Sequence, residues 1–454
     1  MTLKRRKTLL GLLGALLAGL VGWLVLQRTP TDATASRSAT APATAASASV
    51  AMPVERGASA LGTAPLAAGL VAASGPADAR ADLARRMKAD WCGFGAAEHG
   101  RQTEAVHARA MARTGMIGMD AFHEVRESVG WQVVEDEKTA ARRRWVQALN
   151  QRGDERSLAV ADYLDGGSDG DAAPAARARL QARARTSSDP MVTALAMQRP
   201  CASGACVNVE ASQWSRLEPA NLQAWLALTS GPASRVQQTH AAYVLDRLAQ
   251  EAQYSRSYQR EFHAVLSGLP QTQTPGLQNE AEVQLISAMV FGWPMPSMRP
   301  VTDLCRHGLA DTGTLPRCET MARLLVRQDD TLHRAIGLVI ARNLVAAQPA
   351  MRVRWEPQAQ AYEAVREWAR DVAERAASAP EPEASAPACD WQSEMRKVLG
   401  GHLVRSEWDR MQDGMGEAGV DEATLAARWR KQQGRSVLDP LPAAQPASAP
   451  AKAG

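Results

Sequence analysis

The twelve residues Leu217-Glu218-Pro219-Ala220-Asn221-Leu222-Gln223-Ala224-Trp225-Leu226-Ala227-Leu228 read as the end of one helix and the start of the next. Pro219 stops the first, because it has no N–H to donate and its ring collides with the preceding turn. Asn221 supplies a side-chain oxygen for the free amides that open the second. Trp225 and Leu228 then fall on the face that drops onto the preceding helix pair. The same grammar recurs along the chain. Ser188-Asp189-Pro190 is a helix start, with a capping side chain before a proline whose missing N–H costs nothing there. Asp330 opens a helix that places Leu332, Ile336, Val339 and Ile340 on one face, with Pro349 just beyond its end. Ala241, Leu245, Leu248 and Ala252 form a similar stripe, with Asp246, Arg247 and Glu251 elsewhere on the helix. Aromatic residues are only 5% of the chain, and Ala, Leu, Arg, Glu and Gln dominate, which leaves few good strand formers. The expectation is an all-α fold, a stack of short antiparallel helices, and not an all-β or large α/β protein.

The Leu-x-Pro-x-Asn and Ala-Trp-x-x-Leu halves of this stretch resemble the boundary between successive tetratricopeptide repeats, with Pro219, Asn221 and Trp225 as the matching residues. No second copy follows at a period of about 34 residues, and Gly231-Pro232 departs from the family pattern. The resemblance implies a degenerate tetratricopeptide-like array or an irregular helical solenoid. The layout as a whole is similar to that of membrane-anchored helical-repeat proteins of Gram-negative bacteria, a likeness that brings no activity with it.

At the amino end, Lys4, Arg5, Arg6 and Lys7 precede Leu9 to Leu26, an uncharged and mostly apolar run. At about 1.5 Å per residue it would span roughly 27 Å, close to one bilayer core and longer than the apolar part of most signal peptides. We read residues 1–7 as a cytoplasmic stub, 8–26 as a transmembrane helix or signal anchor, and everything after as periplasmic. The chain is then a single-pass inner-membrane protein. Cleavage near Ala33-Thr34-Ala35 is the alternative, leaving a periplasmic product. Gly11, Ala15, Gly19 and Gly14, Ala18, Gly22 make small-residue ridges of the kind that let two membrane helices dimerise. Residues 27–77 are almost entirely Ala, Ser, Thr, Pro and Gly, a composition unable to offset the entropy of ordering. As a coil, this tether would reach on the order of 40 Å. The helical domain is expected over 78–377, a linker over 378–388, a C-terminal helical piece over 389–437 and a disordered tail over 438–454.

The net charge is +4, but the five basic residues before Pro30 account for it. Without them the chain is neutral to within one charge, which removes any electrostatic argument for nucleic acid.

An exported chain with six cysteines suggests disulfides before metal. Cys201 and Cys206 enclose a short turn, and Cys305 and Cys318 flank a connection between consecutive helices. Cys92 and Cys389 remain, one at the start of the body and one just after the linker. Sequence alone permits fifteen connectivities for six cysteines. Cys305, His307 and Cys318 match no familiar zinc spacing.

Motifs for chemistry are scarce. Gly93-Phe94-Gly95 lacks the third glycine of a dinucleotide fingerprint, and His123-Glu124 lacks the second histidine of a zinc protease. Asp165, Asp169 and Asp171 mimic only part of a calcium loop. Arg177, Arg179, Arg183 and Arg185 form a basic helix that reads as a solvated face, and His99, Glu104 and His107 share a helical face with no further ligand. No catalytic, cofactor-binding or metal residue is assigned. The function expected is a non-enzymatic, inner-membrane-anchored periplasmic scaffold that binds another envelope protein. The alternative is a cell-envelope enzyme, for example one acting on peptidoglycan, whose carboxylates leave no motif.

Overall fold

The computed structural model describes residues 76–115, 117–168, 170–202, 204–229, 235–377 and 389–441. The expected membrane helix, nearly all of the tether, the 378–388 linker and residues 442–454 lie outside the described residues. No helix among the described residues is long and apolar enough to cross a membrane.

The described chain is all-helical, with no strand and one isolated β-bridge between Asn221 and Tyr254. In chain order the helices are α1 Pro76–Ala89, a π-helical turn Trp91–Gly95, α2 Ala96–Thr114, α3 Met119–Arg126, α4 Val129–Arg152, α5 Glu155–Gly166, α6 Ala173–Thr186, α7 Pro190–Gln198, α8 Ala211–Leu217, α9 Leu222–Leu226, α10 Arg235–Glu251, α11 Gln259–Ser267, α12 Leu277–Phe291, α13 Arg299–His307, α14 Thr314–Leu325, α15 Thr331–Ala347, α16 Arg352–Ala377, α17 Asp390–Val404, α18 Glu407–Glu417 and α19 Glu422–Gln433.

Local sequence sets their limits. Ser128 caps α4 through its Oγ, which accepts from Trp131 N at 3.2 Å, and Gly153 ends it in the left-handed region at φ 73°. Between the two caps, Val129, Val133, Ala141, Trp145 and Leu149 recur at multiples of four and are all buried. Asp189 caps α7 with Pro190 in its first turn, and Asp330 caps α15. The apolar face expected for α15 is rotated. Leu332 is 39% exposed, while His333, Gly337, Ile340, Ala341 and Leu344 carry the contact. Gly337 explains the rotation, since a Cβ there would sit 2.9 Å from Leu325 Cβ and Val326 N, so α14 and α15 meet almost backbone to backbone.

Two large cores result. The first gathers Trp145, Leu149, Val160, Tyr163, Leu180, Leu195, Phe262 and Ile286, closed by Met395 and Leu399 of α17. The second gathers Leu222, Leu226, Leu245, Leu248, Met321, Leu325, Leu344 and Trp355, and includes Leu438. Leu438 is 1% exposed, so the expected tail boundary at 438 falls inside a packed segment. Burying this apolar surface is the main force holding the stack, at roughly 25 cal/mol per Å². Packing also joins helices far apart in the chain: α1 and α12 both lie on α4, and α17 lies on α12.

Cys92 is bonded to Cys389, Cys201 to Cys206 and Cys305 to Cys318, with Cα–Cα separations of 5.2, 5.8 and 5.6 Å. No free cysteine remains among the described residues, and Cys305 and Cys318 are fully buried as a pair in the second core.

Candidate functional site

The 217–228 stretch sits where the two cores meet. Ala224 belongs to the first, while Leu222, Trp225 and Leu226 belong to the second. Its helix is short, five residues followed by a 3-10 turn at Ala227–Thr229. Asn221 caps it: Oδ1 accepts from Gln223 N at 3.1 Å and Arg256 N at 2.9 Å, and Nδ2 donates to Arg256 O at 2.8 Å. Pro219 offers its carbonyl to Trp225 Nε1 at 2.7 Å. The three junction residues thus converge on one turn.

Beside them Glu218, 8% exposed, accepts from Trp214 Nε1 at 3.0 Å, Asn221 Nδ2 at 2.8 Å and Tyr254 Oη at 2.9 Å. Burial, and then the Glu218 carboxylate, hold the Tyr254 and Tyr258 hydroxyls above their ordinary range. Tyr258 stands at φ 64°, alone among the described non-glycine residues in having a positive φ. That conformation is uncommon for a bulky residue, and its ring, 2% exposed in the first core, holds it there.

Behind this turn lies the nearest approach to a hydrolytic constellation. Asp330 binds both the backbone N–H and the ring Nδ1 of His333. Burial alone would raise the Asp330 carboxyl, but the hydrogen bonds and charge of His333 leave it below its ordinary value. A Ser–His–Asp arrangement would require Ser255 Oγ on His333 Nε2. Instead one amide nitrogen, Gln223 Nε2, contacts both, at 2.9 Å from Ser255 Oγ and 2.7 Å from His333 Nε2. The glutamine holds the position a nucleophile would need, and the cluster acts as a buried clamp between the junction and α15.

The other sequence candidates disperse. Arg179 and Arg183 pair with the buried Asp162, Arg179 also reaches Asp165, and Arg177 donates to Gly166 O at 2.7 Å. Arg179 and Arg185 remain exposed, as a solvated face would have them, while Arg177 and Arg183 are half-buried, and three of the four arginines tie α6 to α5. His99 packs beneath Gly130 and beside Trp91, and burial lowers its pKa. No cluster of three or more His, Cys, Asp or Glu side chains suited to a metal occurs among the described residues.

One surface feature escaped sequence reasoning. The α2–α3 pair exposes Met111 (48%), Ile117 (53%), Met119 (69%) and Phe122 (46%) within twelve residues. Phe122 meets Trp131 edge-on at 5.9 Å, and Arg109 and Arg113 pair with Glu124 alongside. Helical periodicity conceals the patch, because Val106, Ala110, Ala121 and Val125 already supply an apolar face for the interior. The available signal was the density of methionine across the turn. No family model, curated protein or solved structure matches this chain.

Proposed function

We propose that the chain is a periplasmic interaction module, tethered to the inner membrane through residues 8–26, that docks an apolar helix of another envelope protein onto the α2–α3 tip. The observation that carries this reading is the tip itself. Four large apolar side chains in so short a segment form the kind of exposed patch that marks a binding surface. Methionine adapts its shape to a partner, and the Arg–Glu pairs alongside supply a polar rim. The bonded cysteine pairs support an oxidising compartment. A degenerate tetratricopeptide-like or irregular solenoid, with its repeat boundary at Pro219, Asn221 and Trp225, is the architecture included in the proposal. The enzymatic reading has less behind it, because the buried carboxylates Glu218, Glu282 and Glu363 are each occupied by several donors.

The test is site-specific photo-cross-linking from positions 117 and 119 of the full chain in intact cells. A discrete adduct with an envelope protein is expected, and Met119→Asp, at the most exposed of the four side chains, should abolish the adduct from position 117 without changing the melting temperature. Adducts with lipid alone would replace the protein partner by the bilayer surface. No adduct from either position would overturn the proposal. A reporter active only in the periplasm, fused after Gly454, checks the orientation separately.

A further inference from the structure

A cleft of about 420 Å³ opens between α14, the turn that follows it, α15 and α16. Arg323, Arg327, Arg334 and Arg354 line it together with Val326, Trp355 and Gln358. Four guanidinium groups arriving from four directions repel one another, so what neutralises each of them matters. Arg354 is paired with Glu319. Arg323 reaches only the Thr320 hydroxyl, at 3.3 Å. Arg334 donates Nε to Gln328 O at 2.6 Å and stacks over the Trp408 ring at 3.7 Å. Arg327 has no side-chain partner among the described residues. Three acids stand near Arg334: Asp329, which pairs with Arg260 at 3.0 Å, Asp330, which holds His333, and Asp409. The residues that line the cleft are nonetheless four arginines and no carboxylate, and burial weakens the hold of Arg334 on its proton.

Trp355, 1% exposed, and Val326 form the apolar floor of the cleft beneath these cations. Guanidinium forks match the oxygens of phosphate and carboxylate. A single carboxylate offers two oxygens and is served by one fork, whereas a phosphoryl group presents three terminal oxygens to donors arriving from several sides. We propose that this cleft binds a dianionic phosphoryl group, with Arg323, Arg327 and Arg334 as its cationic ligands. The same chemistry occurs on soluble phosphate monoesters and on the phosphomonoester headgroup of phosphatidic acid. The proposal is independent of the apolar tip and of any partner there.

The experiment uses the full chain reconstituted in phosphatidylcholine nanodiscs, with binding followed by titration calorimetry and by tryptophan fluorescence. Inorganic pyrophosphate is titrated in one arm, and in the other the discs contain increasing phosphatidic acid. Saturable binding in either arm is expected, and which arm responds identifies the source. Arg323→Gln with Arg327→Gln removes two exposed side chains that hold no part of the fold, and should weaken binding by about 100-fold, or roughly tenfold per lost charged contact. Arg185→Gln, at an exposed arginine of α6, should leave affinity unchanged. No response in either arm, an unaltered affinity in the double variant, or an equal loss with Arg185→Gln would overturn the site.

Discussion

The C-terminal helices meet the body at two places that solve the same problem differently. Where α17 lies on α12, Glu280 and Glu282 are 5% and 1% exposed. Glu280 accepts from Gln392 at 2.9 Å and Gln284 at 2.6 Å, and Glu282 accepts from Thr272 N at 2.8 Å and Arg396 Nη2 at 3.1 Å. Arg396 itself is only 14% exposed, and Cys92–Cys389 closes the seam covalently. Where α19 lies on α16, Glu363 and Glu367 are fully buried, but their cations Arg430 and Arg428 remain 32% and 44% exposed. Burying a carboxylate is tolerable only when donors replace its water. At α12 the nearest cation of Glu282 is itself buried, with a second, Arg144, 42% exposed at 3.5 Å, whereas at α16 the arginine heads facing both carboxylates reach solvent. The contrast implies that the two seams differ most when a cation is removed.

The largest effect expected is from Arg396→Met combined with Arg144→Met, which leaves Glu282 buried with neither of its cations and should cost about 3–5 kcal/mol in urea unfolding. Arg428→Met should cost about 1 kcal/mol or less, because water can reach the site it vacates. Equal losses would break the comparison. Replacing Cys92 and Cys389 by Ser should cost about 2–5 kcal/mol, with faster amide exchange appearing in α17 before α19. Simultaneous loss of protection in both would mean that the seams unfold as one.

Acid sharpens the contrast further. Burial lowers His263 to about 4, and burial with Arg410, His263 and Arg260 lowers His402 to about 3. Both flank the α17 seam, where His402 meets Phe291 of α12 at 5.1 Å. A histidine that resists its proton when folded is protonated first in the unfolded chain. Stability should therefore be lost as pH falls below about 6.5, and go on falling until the folded values are reached. His263→Gln should remove about 2 kcal/mol of the loss between pH 7 and pH 5, at 1.36 kcal/mol per unit. Glu280 works in the opposite sense, since burial raises its carboxyl and acid relieves that cost. The smallest effect expected is from salt. At 1 M NaCl the α16–α19 seam should weaken by a few tenths of a kcal/mol and the α12–α17 seam by less, because screening acts on the exposed cations. Hydrogen exchange resolved by helix would show the difference.

What the sequence made legible was local. Asp189-Pro190, Asp330 and Asn221 announce helix starts because a cap and its helix are neighbours in the chain, and the close spacing of two cysteine pairs does the same for their bonds. What it concealed depends on partners far along the chain. The ion pair of Arg179 needs Asp162, the burial of Leu438 needs the second core, and the rotated face of α15 needs the close approach at Gly337. The clamp of Gln223 on His333 joins residues 110 positions apart, and nothing in either neighbourhood signals the other. The arginine cleft is hidden for the same reason, since its cations come from three helices and a turn.

The bond between Cys92 and Cys389 also defines a load path. It lies 297 residues across the sequence, with α1 on one side and α17 to α19 on the other. A pull applied between the chain's two ends enters at Cys92, crosses a single covalent bond and leaves at Cys389. Both large cores, with most of their helices, lie inside the resulting ring and outside the line of tension. A protease cut anywhere in the ring, the 378–388 segment included, would leave both fragments joined until the bond is reduced.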